Sequence, residues 1–164
     1  DILDHTRKLV TQQIVKEDYR EYRIFGIFEE EIIPLYSGKM NINLSGDDQL
    51  TVSLHKESFI EAINNLIRNA EVHAFPESLQ GAELNFVIRE MRKKIIIDYT
   101  NNGKPFPENL DAGDFLSFGR KSKESPGEGL GGAWIGKVIE AHHGKFEIIR
   151  DENPLHFRIT LPKK

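Results

Sequence analysis

Apolar residues recur along this chain in two rhythms, one of three to four residues and one of two, and their order predicts the architecture. The opening stretch DILDHTRKLVTQQIVKEDYR is polar. Its Ile2, Leu3, Leu9, Val10, Ile14 and Val15 form the narrow stripe of an exposed or partner-seeking helix. YRIFGIFEEEIIPLYSG predicts a second, more apolar helix that stops around Pro34 and Gly38. KMNINLSGDDQLTVSL alternates on both sides of Gly46-Asp47-Asp48, which predicts a hairpin. A long helix is expected from about Phe59 to Ala74, capped by Ser58 or the residues just before it and ended by Pro76. AELNFVIREMRKKIIIDYT predicts a strand pair turning near Met91 to Lys93, and the TNNGKPFP that follows carries the Asn-Gly signature of a turn. DAGDFLSFGRKSKESPGEG, rich in Gly, Ser and Lys, predicts a loop. LGGAWIGKVIEAHH then runs at helical spacing, with Leu130, Trp134, Ile135, Val138 and Ile139 on one side and Gly144 as the stop. KFEIIRD and LHFRITLP alternate as half-buried strands.

Strands therefore cluster at 39–54, 82–100 and 145–161, with helices between and before them. That order predicts an α+β fold, a two-layer sandwich whose mostly antiparallel sheet is covered by helices on one face. The expected division is an N-terminal helical segment, 1–38, and a sandwich domain, 39–164.

Composition narrows the partners. The 22 Lys and Arg against 26 Asp and Glu leave a net charge of −4, which gives no support to nonspecific nucleic-acid binding. There is no cysteine, so disulfides, thiol nucleophiles and cysteine-ligated zinc are excluded. No stretch reaches the roughly 18 apolar residues of a membrane span. The expectation is a segment without membrane contact, in the cytoplasm.

Two stretches carry candidate chemistry. In GEGLGGAWIGKVIEAHHG, glycines at 127, 129, 131 and 132 directly precede an amphipathic helix. Backbone N–H groups freed for close approach, with the positive end of a helix, suit a phosphate, though a plain hinge has the same composition. In SFIEAINNLIRNAEVHAF, Ile63, Leu66, Ile67 and Ala70 form the buried stripe. Beside it, Glu61, Asn65, Asn69 and His73 follow at a spacing of four. Asparagine is a poor helix former, and two amide oxygens one turn apart suit a hard cation such as Mg²⁺ arriving with phosphates. An exposed polar face is the alternative.

In this order and separation, the motifs resemble the GHKL superfamily of ATP-binding domains, over about residues 39 to 162. NLIRNAEVH resembles its asparagine box, with Asn65 and Asn69 in the two key positions. GEGLGGAWIGKVIEAHHGKFEI resembles its second glycine box, down to the His142 and Gly144 that commonly end that helix. DFLSFGRKS resembles the phenylalanine box and ATP lid of the histidine kinases, and HFRITLP the last strand. The resemblance implies the Bergerat ATP-binding fold with ATP and Mg²⁺ as ligands. It implies Asn69 as the Mg²⁺ ligand with Asn65 beside it. His73, Phe118, Gly127, Gly129, Leu130, Gly131 and Gly132 would border the nucleotide, and Arg120 and Lys121 would meet its phosphates. Hydrolysing members place a water-activating glutamate where this chain has Asn65. An amide has no usable basicity, so the resemblance favours a kinase that passes the γ-phosphate to a histidine outside this chain. An ATPase-like switch with slow or no turnover, or a degenerate interaction module, remains the alternative. His5, in LDHTRKL, departs from the phosphoacceptor signature. The partners implied are a phosphoacceptor or neighbouring helical domain of a larger parent protein, and the lead-in helix offers a face for a second copy.

TNNGKPFP occupies the place of the superfamily's Asp-x-Gly-x-Gly. Aligned on Gly103, the aspartate that reads the adenine amino group becomes Asn101, and the second glycine becomes Pro105. Asp98 stands five residues from Gly103 and is no substitute. Asn101 still accepts, through a neutral oxygen worth on the order of 1 kcal/mol less than a carboxylate. Its amide also carries a donor, so guanine is excluded less sharply.

Overall fold

A computed structural model describes residues 18–117 and 132–163. Its main sheet has five strands: β2 (Asn41–Gly46), β4 (Glu83–Met91), β5 (Lys94–Asn101), β7 (Leu155–Pro162) and β6 (Lys145–Ile148), in that spatial order. All pairs are antiparallel except β2 with β4, which run parallel. A separate antiparallel pair joins β1 (Arg20–Arg23) to β3 (Thr51–Leu54).

The strand pairs expected at 82–100 and 145–161 are present. The β4–β5 turn places Arg92 and Lys93 in the left-handed region, at φ 54° and 66°. The hairpin expected within 39–54 does not form. β2 pairs with β4, whose first residue lies 42 positions further along the chain from Asn41, and β3 pairs with β1. Gly46 therefore serves close approach: at φ 118°, a Cβ there would lie 2.0 Å from the Ile88 carbonyl oxygen. Alternation specifies which face of a strand is buried, but not its partner.

Helices cover one face. A helical segment begins at α1 (Ile24–Ile27), widens into a π-type turn (Phe28–Ile32) and then tightens into a 3₁₀ turn (Ile33–Tyr36). It starts later than the apolar rhythm predicts, because Tyr22 and Arg23 belong to β1. The long helix α2 (Lys56–Asn69) is capped by His55, whose ring nitrogen accepts from the Ser58 N–H. Helix α3 (Ala112–Leu116) has a capping box between Asp111 and Asp114. Helix α4 (Gly132–Ala141) ends in a Schellman-type turn in which His143, not Gly144, takes the left-handed conformation (φ 59°). The Gly144 N–H closes the turn onto the Ile139 carbonyl at 2.8 Å. Gly144 is needed for space, since a Cβ would meet the Thr160 carbonyl oxygen of β7 at 2.7 Å.

The predicted stripes are the core. Ile63, Leu66 and Ile67 of α2, Ala70 just after it, and Trp134, Ile135, Val138 and Ile139 of α4 are buried with Phe86, Ile97, Phe157 and Ile159 of the sheet. Ile24, Phe25, Phe28 and Ile32 belong to the same core. The His55 N–H donates to His142 Nε2 at 3.1 Å, which ties the start of α2 to the end of α4. Burial lowers the His142 pKa, consistent with the neutral ring that this acceptor role requires.

The other sheet face is polar. Asp98 of β5 receives Arg158 at 2.8 Å, His156 at 2.7 Å and Arg89 at 3.4 Å, and His156 also contacts Asp151 at 2.8 Å. Burial alone would raise the Asp98 carboxyl, but the hydrogen bonds from Arg158 and His156 outweigh it and hold the carboxyl below its ordinary value. A carboxyl more acidic folded than unfolded contributes stability that is fully present above the ordinary carboxylate range. That contribution is lost as pH falls through the folded value. Asp98→Asn should therefore cost about 2 kcal/mol at neutral pH. In urea titrations the gap between variant and parent should close below about pH 4. A gap that persists unchanged into acid would assign the loss to packing instead of charge.

Candidate functional site

The site grows from the end of α2. After Asn69 the helix widens into a π-type turn, Ala70–Ala74, closed by the Phe75 N–H on the Ala70 carbonyl at 2.9 Å. Such turns inside helices frequently mark functional sites. Here the Ala74 carbonyl accepts from the Lys104 N–H at 2.9 Å. Gly103 lies directly against the same residue, where a Cβ would come within 2.6 Å of both the Ala74 Cβ and its oxygen. The end of the helix thus sets the position of the TNNG turn.

Strand β5 supplies the other anchor. Tyr99 and Asn101, two residues apart, face the helices and are buried. The Asn101 Oδ1 accepts from the Gly103 N–H at 3.0 Å, and its Nδ2 donates to the Tyr99 hydroxyl at 3.0 Å. Asn102 faces elsewhere: its Oδ1 accepts from the Glu83 N–H at 2.9 Å and its Nδ2 donates to the Gly81 carbonyl at 3.0 Å. Asn-Gly here makes no hairpin, because both strands flanking β5 are supplied by β4 and β7. The chain instead continues past Phe106, whose N–H is held by the Pro154 carbonyl at 2.8 Å.

Between the helix end and this turn lies a cavity of ≈ 370 Å³. Its walls are mainly apolar: Leu66, Ala70 and Ala74 from the helix side, and Phe106, Phe115 and Phe157 opposite. The three phenylalanines pack on one another, with Phe115 and Phe157 ring centres 4.9 Å apart. Polar groups reach the walls at Asn69, His73, Asn101 and Lys104. An apolar slot with a few convergent polar groups is the ordinary form of a small-molecule site.

The asparagines of α2 separate by their partners. Asn64 Oδ1 accepts from the Tyr36 hydroxyl at 2.7 Å, and Asn65 Oδ1 accepts from the Arg68 guanidinium. Asn69 borders the cavity, and its buried Nδ2 has no partner among the described residues. A buried N–H₂ without a partner at a cavity wall is a donor for an acceptor atom of a ligand, and the amide oxygen of the same side chain is of the kind a hard cation takes. No cluster of three or more His, Asp and Glu suited to a metal occurs among the described residues.

The structure thus brings Asn69, His73 and Asn101 to one cavity, with Gly103 placing the turn. Asn65 is buried but not on the wall, and Glu61 pairs with Arg68 at 3.3 Å. Gly132 opens α4, and Trp134 is core. Phe118, Arg120, Lys121, Gly127, Gly129, Leu130 and Gly131 lie outside the described residues, as do His5 and the first 17 residues of the helix expected over 1–20, whose last residue, Arg20, instead begins β1. Phe115 is both core and cavity wall. Tyr99 and Lys104 were not singled out from the sequence. Period-two spacing from Asn101 was a signal for Tyr99; nothing local marked Lys104.

A mixed sheet under helices, with an apolar slot between a helix end and a strand-end turn, defines an α+β sandwich domain with a small-molecule slot at one end of its helix layer. The family model described as histidine kinase-, DNA gyrase B- and HSP90-like ATPase matches residues 54–164, and the chain belongs to that family. Curated relatives include the probable sensor kinase SilS of Salmonella typhimurium, 29% identical over 86% of this chain and 28% of its own length. The heme sensor protein HssS of Staphylococcus aureus is 28% identical over 94% of this chain and 31% of its own length. The chain thus spans less than a third of these relatives. The ATP-binding domain of PrrB from Mycobacterium tuberculosis superposes with a TM-score of 0.69 at 16% identity, covering 90% of this chain and 98% of that one, a likeness of fold. No helix among the described residues is long and apolar enough to cross a membrane.

Proposed function

We propose that this domain binds ATP with Mg²⁺ and presents the γ-phosphate to a histidine outside this chain, as the catalytic module of a histidine-kinase-type protein. The observation that carries the reading is the single cavity bordered by Asn69, His73 and Asn101 beneath a turn pinned to the helix end. The adenine lies between the apolar walls, with its amino group on Asn101 Oδ1. The phosphates run toward Asn69 and the glycine segment that leads into α4, where Gly127, Gly129, Leu130, Gly131 and Gly132 supply backbone donors. Phe118 borders the nucleotide, and Arg120 and Lys121 neutralise the transferring phosphoryl group. Asn69 offers the oxygen for Mg²⁺, which when bound would screen the charge of the phosphate oxygens; Asn65, expected beside it, lies off the cavity wall with its oxygen held by Arg68. Asn65 is bonded to Arg68, and Glu61 pairs with the same guanidinium, an arrangement that presents no carboxylate base to a water molecule. The acceptor belongs to a helical region of a larger parent protein, on the cytoplasmic side where ATP is available.

Calorimetric titration with ATP should give binding that strengthens with Mg²⁺, without phosphate release. Adding the parent's helical region should produce acid-labile phosphate on histidine. Absence of heat at millimolar ATP would sink the reading, and brisk hydrolysis without an acceptor would sink the role given to Asn65.

A further inference from the structure

One wall of the cavity has no regular structure of its own. Residues 104–110 lie outside helix and strand, and Lys104, Phe106, Pro107 and Leu110 border the cavity. Pro105 and Pro107 have no N–H, so the stretch cannot form a full set of backbone bonds within itself. Its shape is set by what the rest of the fold brings to it.

The turn between β6 and β7 brings an arginine. Arg150 donates to the Pro107 carbonyl at 3.3 Å and to the Leu110 carbonyl, and its guanidinium carbon stands 5.5 Å from the centre of the Phe106 ring. A planar fork of fixed donors can hold two carbonyls and cover an aromatic face at once. The same turn offers the Pro154 carbonyl to the Phe106 N–H at 2.8 Å. Phe106 then meets Phe157 and Phe115 edge to face, at 5.3 and 6.1 Å.

This turn is itself anchored. The Ile149 N–H donates to the His156 carbonyl at 2.8 Å. Asp151 accepts from the Asn153 N–H at 3.0 Å and contacts the His156 ring at 2.8 Å, and the other ring nitrogen contacts Asp98 of β5 at 2.7 Å. Arg150 therefore reaches out from a platform tied to the middle of the sheet.

We infer that Arg150 is a positioning residue for the nucleotide: it fixes residues 106–110 as one wall of the slot and acts on affinity without touching the phosphates. The inference rests on the reading of the cavity as a nucleotide site. Arg150 stands behind Phe106, lining a second hollow of ≈ 380 Å³ that Phe106 also borders. Without the guanidinium, the ring has open space to move into, and the wall must be ordered anew each time a ligand binds.

The test compares ligands with and without phosphates. Affinities for Mg²⁺·ATP and for adenosine are measured by displacement of a fluorescent ATP analogue from the parent, Arg150→Ala and Arg150→Lys. Arg150→Ala should weaken both ligands by the same factor, about tenfold, the scale of ordering a loop segment on binding. Arg150→Lys keeps the cation but has no fork, and should recover only part of the loss. The urea midpoint of Arg150→Ala should stay close to the parent's, since the side chain is exposed and outside the core. A loss for ATP with adenosine unchanged would make Arg150 a phosphate contact and overturn the positioning role. A urea midpoint that falls with the affinity would assign the loss to the whole fold and overturn it equally. Amide exchange by NMR, without nucleotide, tests the clamp alone. The Phe106 amide should exchange faster in Arg150→Ala while the β5 amides keep their rates. An unchanged Phe106 rate would overturn the clamp and leave the site reading intact. If the parent binds neither ligand, the nucleotide-site reading fails and this inference with it.

Discussion

Asn69→Ala is expected to abolish Mg²⁺-dependent ATP binding while leaving the fold as stable as before. The two effects separate because of where the amide sits. Its nitrogen has no partner among the described residues, and the side chain is outside the buried core, so truncation removes no nitrogen-donated hydrogen bond and empties no core position. Alanine is also the better helix former by a few tenths of a kcal/mol. The binding loss should reach about 100-fold or more, since removing even an outer partner of a metal site costs about 10- to 100-fold. Calorimetry with and without Mg²⁺, paired with a urea titration, measures both. Asn64→Ala gives the opposite result in the same assays. It leaves the Tyr36 hydroxyl without its 2.7 Å acceptor in the core and should cost about 1–2 kcal/mol of stability without touching the Mg²⁺ dependence. If Asn69→Ala binds Mg²⁺·ATP like the parent, the metal role belongs to another residue.

Gly103→Ala is expected to damage fold and site together. The added methyl would lie 2.6 Å from both the Ala74 Cβ and its carbonyl oxygen, and neither is the end of a flexible side chain. Either the turn or the π-type turn must move. Each movement strains the Lys104–Ala74 bond and the Gly103–Asn101 bond that faces the amide oxygen. Overpacking of this kind costs about 1–3 kcal/mol, and the displaced Asn101 should lower ATP affinity by at least about tenfold. Gly81→Ala separates space from conformation. That glycine has φ 78° and nothing within 4 Å of a built Cβ, so it should lose about 1 kcal/mol and keep its ATP affinity. Equal ATP affinity in Gly103→Ala and the parent would show that the turn does not position the base.

Much of the molecule was legible residue by residue. The stripe Ile63, Leu66, Ile67 and Ala70 and the stripe Trp134 to Ile139 are buried as their spacing requires, and the strand pairs 82–100 and 145–161 form. Spacing of four along α2 also brought Asn69 and His73 to the wall of one cavity, though Asn65 on the same row bonds instead to Arg68. What failed was pairing between distant segments. The alternation around Gly46 was real, yet β2 and β3 went to different sheets, because period two encodes a face and not a neighbour.

TNNGKPFP shows the same division at the site. The sequence alone determined that an amide stands where a carboxylate is usual, that Gly103 follows two residues later, and that the fold is a helix-covered sandwich. It could not orient the amide, because both its states are chemically sensible in isolation. Only the tertiary structure decided that, by closing the Gly103 N–H, which can only donate, onto Oδ1. The physical reason is that rotation about the last bond of asparagine has no strong local preference. Its outcome is set by partners that the strand, the turn and the helix end deliver from different parts of the chain.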